Sequence, residues 1–401
     1  MSAGQKPKIL IIGGFTFSHG EAGSNVVIGL GRAIEEAGYC VEYLAEDRGG
    51  AAVREDFRRF TCHLAPAGPA LQGWRSALVN LSASNHSVIN WLGHTLVPGV
   101  HAVIVYPGGD FQVAALAKLS RLCLARSWKL AVVVTEWQAY WRLDKLKLSH
   151  RVLATVDSEI QRRFQYKKIH HVIVISKFLE RYYNNSGCHA ILVPPLIDAS
   201  AEKWNCRPPV NSDKRGVKLV FSGGWWRDRL DLMTEAVLQL KNEGHDVVLE
   251  FLGPRLDEIE QDPQLLKQMR KAPNGTFRFH GKVPLEKLFP MTSSADFGVM
   301  LRERAKWSNA CFPSKVAEFQ ALGVPMLCNL TSDLETPLRD GENALIVPSV
   351  SVAALATTIK RALGLTPTER ERLRQHSLQC ATKHFDYRNY VDPLGEFIRG
   401  I

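Results

Sequence analysis

Lys8-Ile9-Leu10-Ile11-Ile12, closed by Gly13-Gly14, is a short apolar run of the kind that forms a strand buried on both faces. Downstream, Val26, Leu30, Ala33 and Ile34 recur near the helical period between Asn25 and Ala37, and Gly38 follows where a helix C-cap belongs. Tyr39 to Leu44 reads as the next strand. Strand, glycine turn, helix, strand is a βαβ unit, and the pattern continues. Strands are expected at Val103–Tyr106, Leu130–Thr135, His171–Ile175 and Ala190–Val193, with helices at Phe111–Ala125, Ser149–Gln165 and Ser176–Asn184. Alternation of this kind predicts a parallel sheet with helices on both faces.

The pattern then stops and restarts. Asp198 to Gly216 is polar, carries Pro208-Pro209, and reads as a boundary. A second series follows: strand Val217–Ser222, Gly223-Gly224, helix Leu230–Asn242, then strands Val247–Leu252, Thr276–His280, Ala295–Leu301 and Pro325–Asn329. Helices are expected at Pro313–Leu322, Val352–Leu363 and Thr366–His384. The expected organisation is an N-terminal Rossmann-like domain over 1–200, a linker over 201–216, a second such domain over 217–383, and a C-terminal segment, 384–401, returning to the first domain. In open α/β sheets ligands bind at the carboxyl ends of the strands, so that is where chemistry is sought.

Composition narrows the function classes. The chain has 401 residues, 45% hydrophobic and 22% charged, which fits ordered globular domains and excludes collagen, coiled coil and wholesale disorder. The eight cysteines are scattered without a Cys-x-x-Cys pair, as expected of reduced thiols in a cytoplasmic protein and not of a zinc site. Residues Met1 to Pro7 lack an apolar core, and the uncharged stretch Ser76–Gly109 is broken by polar residues and Pro98, so neither a signal peptide nor a spanning helix is expected. Net charge is +10, which favours anionic partners. No helix-turn-helix, RNP-like or zinc pattern accompanies it, so nucleic acid is not expected. Between Arg142 and His171 there are eight Lys/Arg against three Asp/Glu. Arg142–Lys168, interleaved with Leu143, Leu146, Leu148, Phe164 and Tyr166, fits either a solvated helix face or adsorption to an anionic membrane.

Candidate residues cluster at strand ends. Gly23 opens the first helix, where backbone N–H groups hold phosphate; the spacing is not Gly-x-Gly-x-x-Gly. Gly223-Gly224-Trp225-Trp226-Arg227-Asp228-Arg229 sets two guanidinium groups beside glycines, and Arg suits bidentate recognition of phosphate oxygens. Arg302, Arg304 and Lys306 follow another strand and read equally well as exposed charges. In Phe312-Pro313-Ser314-Lys315-Val316-Ala317-Glu318 a lysine stands in a helix's first turn, which the helix dipole disfavours unless an anion lies there. Glu318 stands one turn on, placed to grip ligand hydroxyls. Glu136, followed by Trp137, with Tyr140, Trp141 and His150 nearby, ends another strand and could touch a sugar.

Pro313-Ser-Lys-x-x-Glu318-Phe-x-Ala-x-Gly323-x-Pro325 resembles the donor-binding helix of retaining GT-B-fold glycosyltransferases of family 4, the group 1 transferases. The segments Val174–Leu179, Val193–Asp198, Val220–Arg229, Phe251–Pro254, His280–Val283 and Asp340–Pro348 resemble other parts of that family in the same order. The resemblance implies two facing Rossmann-like domains and transfer of a sugar from a UDP- or GDP-linked donor to a glycan, lipid-linked or other hydroxyl acceptor, in the cytoplasm or at the inner face of a membrane. It places Glu318 on the ribose, Arg229 and Arg227 on the diphosphate, Gly23, Gly223 and Gly224 near the phosphates, and Lys282 and Val283 by the base. Glu136 falls beside the donor sugar. The first glutamate of the family's Glu-x7-Glu motif falls at Ala310, and Asn309, Ser314 or Lys315 are its expected substitutes. No Asp-x-Asp ends a strand, so metal-independent chemistry without a cofactor is expected, with Glu136, Arg229 and Lys315 as catalytic candidates. A non-catalytic partner subunit and a nucleotide-sugar epimerase are the competing readings.

Overall fold

The computed structural model describes residues 6–17, 22–47, 55–66, 87–107, 112–137, 140, 147–206, 216–224, 227–255 and 263–401. Trp141, Trp225, Trp226 and residues 142–146 of the basic stretch lie outside the described residues. The chain divides into two compact units, Met1–Leu196 with Tyr387–Ile401, and Ile197–Asp386.

The first unit is a seven-stranded parallel sheet. Its strands are β1 (Lys8–Gly13), β2 (Cys40–Glu46), β3 (Thr61–Ala65), β4 (Val100–Tyr106), β5 (Lys129–Val134), β6 (His171–Val174) and β7 (His189–Leu192), in the order β3-β2-β1-β4-β5-β6-β7. Helices α1 (Ala22–Glu36), α2 (Glu55–Arg58), α3 (Ser87–His94), α4 (Val113–Ala125), α5 (Leu148–Ile160), α6 (Tyr166–Ile169) and α7 (Lys177–Asn184) accompany it. Ile9 to Ile12 are buried, and α1 contributes Val27, Leu30, Ala33 and Ile34 to the same core. Each such side chain contributes roughly 1.5–3 kcal/mol by leaving water. Close approach is built in at Gly29, where a Cβ would stand 2.6 Å from Leu196, and at Gly31, where it would meet the Tyr43 hydroxyl that donates to the Val27 carbonyl. Strand order reverses direction between β1 and β4, which makes their carboxyl ends the topological switch point.

The second unit repeats the plan with six parallel strands: β8 (Val217–Ser222), β9 (Val247–Leu252), β10 (Phe277–Gly281), β11 (Phe297–Met300), β12 (Met326–Cys328) and β13 (Ala344–Ile346), ordered β10-β9-β8-β11-β12-β13. Its helices are α8 (Leu230–Asn242), α9 (Pro263–Lys271), α10 (Leu285–Ser293), α11 (Lys306–Ala310), α12 (Lys315–Ala321), α13 (Val352–Leu363) and α14 (Pro367–Phe385). Here the reversal falls between β8 and β11. α14 starts with Thr366 and Glu369 capping one another's backbone N–H groups and Pro367 in the first turn. After it the chain re-enters the first unit, where α15 (Val391–Gly400) buries Leu394, Phe397 and Ile398 in the core that holds α1.

The differences from the sequence reading have physical causes. β3 was not expected, because Thr-Cys-His-Leu-Ala is an edge strand with one fully buried residue and no apolar run. β13, α9 and α10 were also missed; α9 is short and polar and α10 carries Pro290 inside it. The expected helix Pro313–Leu322 begins at Lys315, with Val316 N–H bonding back to the Pro313 carbonyl in a tighter turn. The expected helix Ser149–Gln165 ends in a π-helical turn, Gln161–Gln165, which no periodicity signals. Residues 201–206, read as linker, belong to the second unit, where Trp204 is buried against Phe289.

Candidate functional site

In the first unit a cavity of about 230 Å³ opens at the switch point. Gly14 follows β1, Tyr106-Pro107 end β4, and Val133 to Glu136 end β5; Gly23 from α1 and Ser158, Gln161, Arg162 and Tyr166 complete much of the wall. Gly13 is needed for this approach: its φ is +139° and a Cβ would lie 1.9 Å from the Tyr106 carbonyl oxygen. A Cβ at Gly23 would press on the Tyr106 ring at 3.0 Å. Asp157 is buried and accepts from the N–H groups of Gln112 and Val113 at the start of α4, and from the Gln161 amide. The Tyr166 hydroxyl donates to Gln161 Oε1 at 2.7 Å, and burial pushes its pKa above the usual phenol range. Arg162 lies with its guanidinium 3.9 Å from the Trp137 ring centre and bonds Glu159. Glu136 and Gly23 therefore share one cavity, together with Arg162, Gln161 and Tyr166.

The second unit presents a different surface at its strand ends. Gly223 and Gly253 have φ of +134° and +114°, and a Cβ on Gly253 would stand 2.8 Å from the Gly223 carbonyl oxygen. Backbone bonds Gly223 N–H to Leu252 and Gly253 N–H to Gly281 lace the ends of β8, β9 and β10 into a ledge. Among the described residues, chain neighbours aside, nothing lies within 4 Å of a Cβ built on Gly223, so the ledge is open to them there. Lys282 and Val283 follow β10 directly, the lysine exposed.

Arg229 stands just before α8. Its Nε and Nη2 donate to Asp231 at 2.8 and 2.5 Å, and its Nη1 reaches Glu303 at 3.4 Å. Hydrogen bonding to Asp231, opposed by burial, raises the Arg229 pKa further. For Asp231 burial acts upward, but bonds and charge from Arg229 outweigh it and hold the carboxyl below its ordinary value. Arg227 donates to Cys311 Sγ at 3.3 Å. Lys315 and Glu318 face one another at 3.0 Å across the first turn of α12. Helix α12 is fixed from below: Gly298 of β11 lies so close that a Cβ there would be 2.6 Å from the Phe319 ring. Behind, Gln320 Oε1 accepts from Asn343, whose amide also donates to the Pro337 carbonyl. Asn309 Oδ1 accepts from Ser332 N–H at 3.4 Å, and Ser314 precedes α12, half-buried. Ala310 is fully buried, so a carboxylate at this position would have no water around it.

Sequence reasoning missed two members of this region. Arg302 was weighed as an exposed charge, but it is 6% exposed and forms a bidentate pair with Asp228 at 2.9 and 3.1 Å. Asn329 clamps the Arg302 backbone from both sides, accepting from its N–H and donating to its carbonyl. Neither the pair nor the clamp had a local signal, since each joins residues far apart in the chain.

Solved structures match this fold along almost the whole chain. Sucrose-phosphate synthase from Thermosynechococcus elongatus matches with a TM-score of 0.68 and 16% identity over 98% of this chain and 99% of that one. The Anabaena protein HepE in complex with UDP and glucose matches at 0.63 and 13%, over 98% and 100%. WaaG, a glycosyltransferase involved in lipopolysaccharide biosynthesis, matches at 0.65 and 12%, over 98% and 100%. The fold is GT-B. Identities this low carry the GT-B architecture and nothing finer. Residues 216–364, most of the second GT-B unit, also match the family model described as glycosyl transferases group 1. No curated protein shows a significant match by sequence.

Proposed function

We propose that the protein is a glycosyltransferase that moves a sugar from a nucleotide-diphosphate sugar to a hydroxyl acceptor. The observation that carries this reading is the coincidence, inside the group 1 match, of an open glycine ledge with Arg227, Arg229, Lys315 and Glu318 at the strand ends of one sheet. The bond between the sugar's anomeric carbon and the terminal phosphate oxygen breaks, a bond to the acceptor oxygen forms, and the acceptor proton passes to the departing diphosphate. Developing negative charge on that diphosphate is the main electrostatic demand. Lys315, Arg229 and Arg227 meet it, Glu318 accepts from ribose hydroxyls, Gly223 and Gly224 let the phosphates lie against backbone, and Lys282 and Val283 flank the base. Gly23 and Glu136, expected beside the donor, both line the cavity of the first unit. Front-face transfer of this kind retains the anomeric configuration and needs neither a protein nucleophile nor a metal. UDP and glucose bound to the Anabaena relative favour a UDP-sugar as the donor to try first.

The membrane reading is sharpened by α5 and the turn after it. Leu148, Val152, Val156, Ile160 and Phe164 recur every four residues and are all exposed, Leu148 at 73% and Phe164 at 67%. Exposed Lys147, Arg163, Lys167 and Lys168 accompany them. An apolar stripe with cationic margins matches an anionic lipid surface. Tyr166 and Arg162, part of the same expected patch, are buried and take no part. No helix among the described residues is long and apolar enough to cross a membrane, so contact is peripheral, at the inner face of a membrane.

A thermal-shift panel of nucleoside diphosphates and nucleotide-sugars tests the donor site, because a ligand that binds only the native state raises its stability. Nucleoside diphosphate release from the best donor then tests turnover. Stabilisation by one nucleotide series, lost in Glu318→Ala, is the expected result; stabilisation by none overturns the reading. Binding without turnover across a broad acceptor set turns it toward the non-catalytic subunit, a reading that Ala310 favours.

A further inference from the structure

We propose that the cavity in the first unit is a subsite for an anionic group of the acceptor, a phosphate ester or carboxylate, held by Arg162. The word acceptor rests on the transferase reading; the anion does not. Arg162 is 4% exposed yet lines the cavity. Its Nη2 bonds Glu159, but Arg163 Nε draws on the same carboxylate at 2.8 Å, so one partly exposed acid serves two guanidinium groups. Its Nε is buried and has no hydrogen-bond partner among the described residues. A buried cation with an unmet donor is expensive unless a ligand supplies the acceptor.

Among the described residues the neighbours do not supply it. Ser158 donates to the Thr155 carbonyl, Tyr166 donates to Gln161, and Gln161 donates to Asp157, whose two oxygens are occupied by the start of α4. The Trp137 face fixes the guanidinium from one side. Two further features favour negative charge: Gly23 brings the start of the fifteen-residue α1 to the cavity, and α1 has no acid in its first turn. Ser158, Gln161 and Arg162 stand at i, i+3 and i+4 and so share the helical face that meets the cavity. Glu136 opposes a bare anion, since its carboxylate is in the same wall. A ligand carrying both a hydroxyl for Glu136 and an anion for Arg162 satisfies both. A sugar phosphate or a uronate is therefore preferred over inorganic phosphate, and both over a neutral sugar.

Because Arg162 lies on the Trp137 ring, Trp137 reports the event. Protein labelled with 5-fluorotryptophan, its Trp137 resonance assigned with Trp137→Phe, is titrated with glucose 6-phosphate, glucuronate, inorganic phosphate and glucose. Each titration is run with and without saturating nucleoside diphosphate. The expected result is a saturable Trp137 shift with glucose 6-phosphate or glucuronate, weaker with phosphate and absent with glucose at equal concentration, unaffected by the nucleotide. Arg162→Gln should weaken it by ~10–100-fold, the usual loss for a charge-assisted hydrogen bond, and Arg162→Lys should recover part. No shift with any anion in the wild-type protein overturns the proposal, as does equal affinity for glucose. Displacement by the nucleotide assigns the anion to the donor's own diphosphate and overturns the acceptor assignment. Failure here leaves the donor thermal shifts untouched, whereas failure of the transferase reading leaves the Trp137 titration intact.

Discussion

The two sheets share one plan yet dress their strand ends in opposite ways. At the ends of β8, β11 and β12 the cations are already matched: Arg229 with Asp231 and Glu303, Arg302 with Asp228, Lys315 with Glu318. Around the cavity at β1, β4 and β5 the polar scaffold is self-satisfied, and Arg162 keeps a donor unused. A dianion entering the second unit must exchange with internal carboxylates, so its binding is a competition, sensitive to salt and to pH. A ligand entering the first unit meets Arg162 with its Nη2 on Glu159 and its Nε still unmet. The two regions should therefore respond differently to the same perturbation.

The largest contrast is in stability. Arg302→Ala strands the buried Asp228 carboxylate and should cost about 3–5 kcal/mol, whereas Arg162→Ala leaves Glu159 still paired with Arg163 and should cost clearly less. Urea unfolding of the two variants decides it, and equal losses would show that the ion pairs are not what separates the regions. Next, Lys315→Ala and Glu318→Ala should each weaken nucleoside diphosphate binding by ~10–100-fold in calorimetry, with no change in the Trp137 titration. A parallel loss at Trp137 would mean that the sites are not independent. A smaller effect, of opposite sign, is expected from Asp231→Asn: freeing Arg229 should tighten diphosphate binding by ~2–5-fold, of the size of one partly exposed ion pair, and steepen its salt dependence. Weaker binding would show that Asp231 is needed to aim Arg229.

The smallest effect is on pH dependence. The Asp231 carboxyl is held below its unfolded value, so the stability it lends is present above about pH 4 and is lost as pH falls through the lower folded pKa. Unfolding midpoints measured from pH 5 down to pH 2 should fall less steeply in Asp231→Asn than in the wild type. An unchanged slope would remove Asp231 from the acid response.

What the chain disclosed unaided follows the range of the forces involved. Apolar period and glycine placement are local, and Lys8–Gly13, Val217–Ser222 and Leu230–Asn242 read directly. Gly23, Gly223 and Arg229 lie beside strand ends, where the order of strand, glycine turn and helix set them. The partners of the charges were not legible, since Asp228 with Arg302 and Arg229 with Glu303 join residues 74 apart. Burial of Arg162 was hidden for another reason. In sequence it belongs to a basic run, and nothing local says which of two neighbouring arginines turns inward and which, Arg163, stays exposed. Sheet edges β3 and β13 lacked the continuous apolar run that identified the central strands.

The chain leaves the first unit at Leu196 and comes back to it at Tyr387, with α15 inserted beside α1. During synthesis the N-terminal sheet emerges first, yet it lacks Leu394, Phe397 and Ile398 until the whole of Ile197–Asp386 has been made. The unit that begins folding earliest is thus completed last, after Ile197–Asp386 has emerged as an uninterrupted stretch. Removal of α15 would injure the amino-terminal half, and a nascent chain halted after Asp386 would hold a finished second unit and an unfinished first.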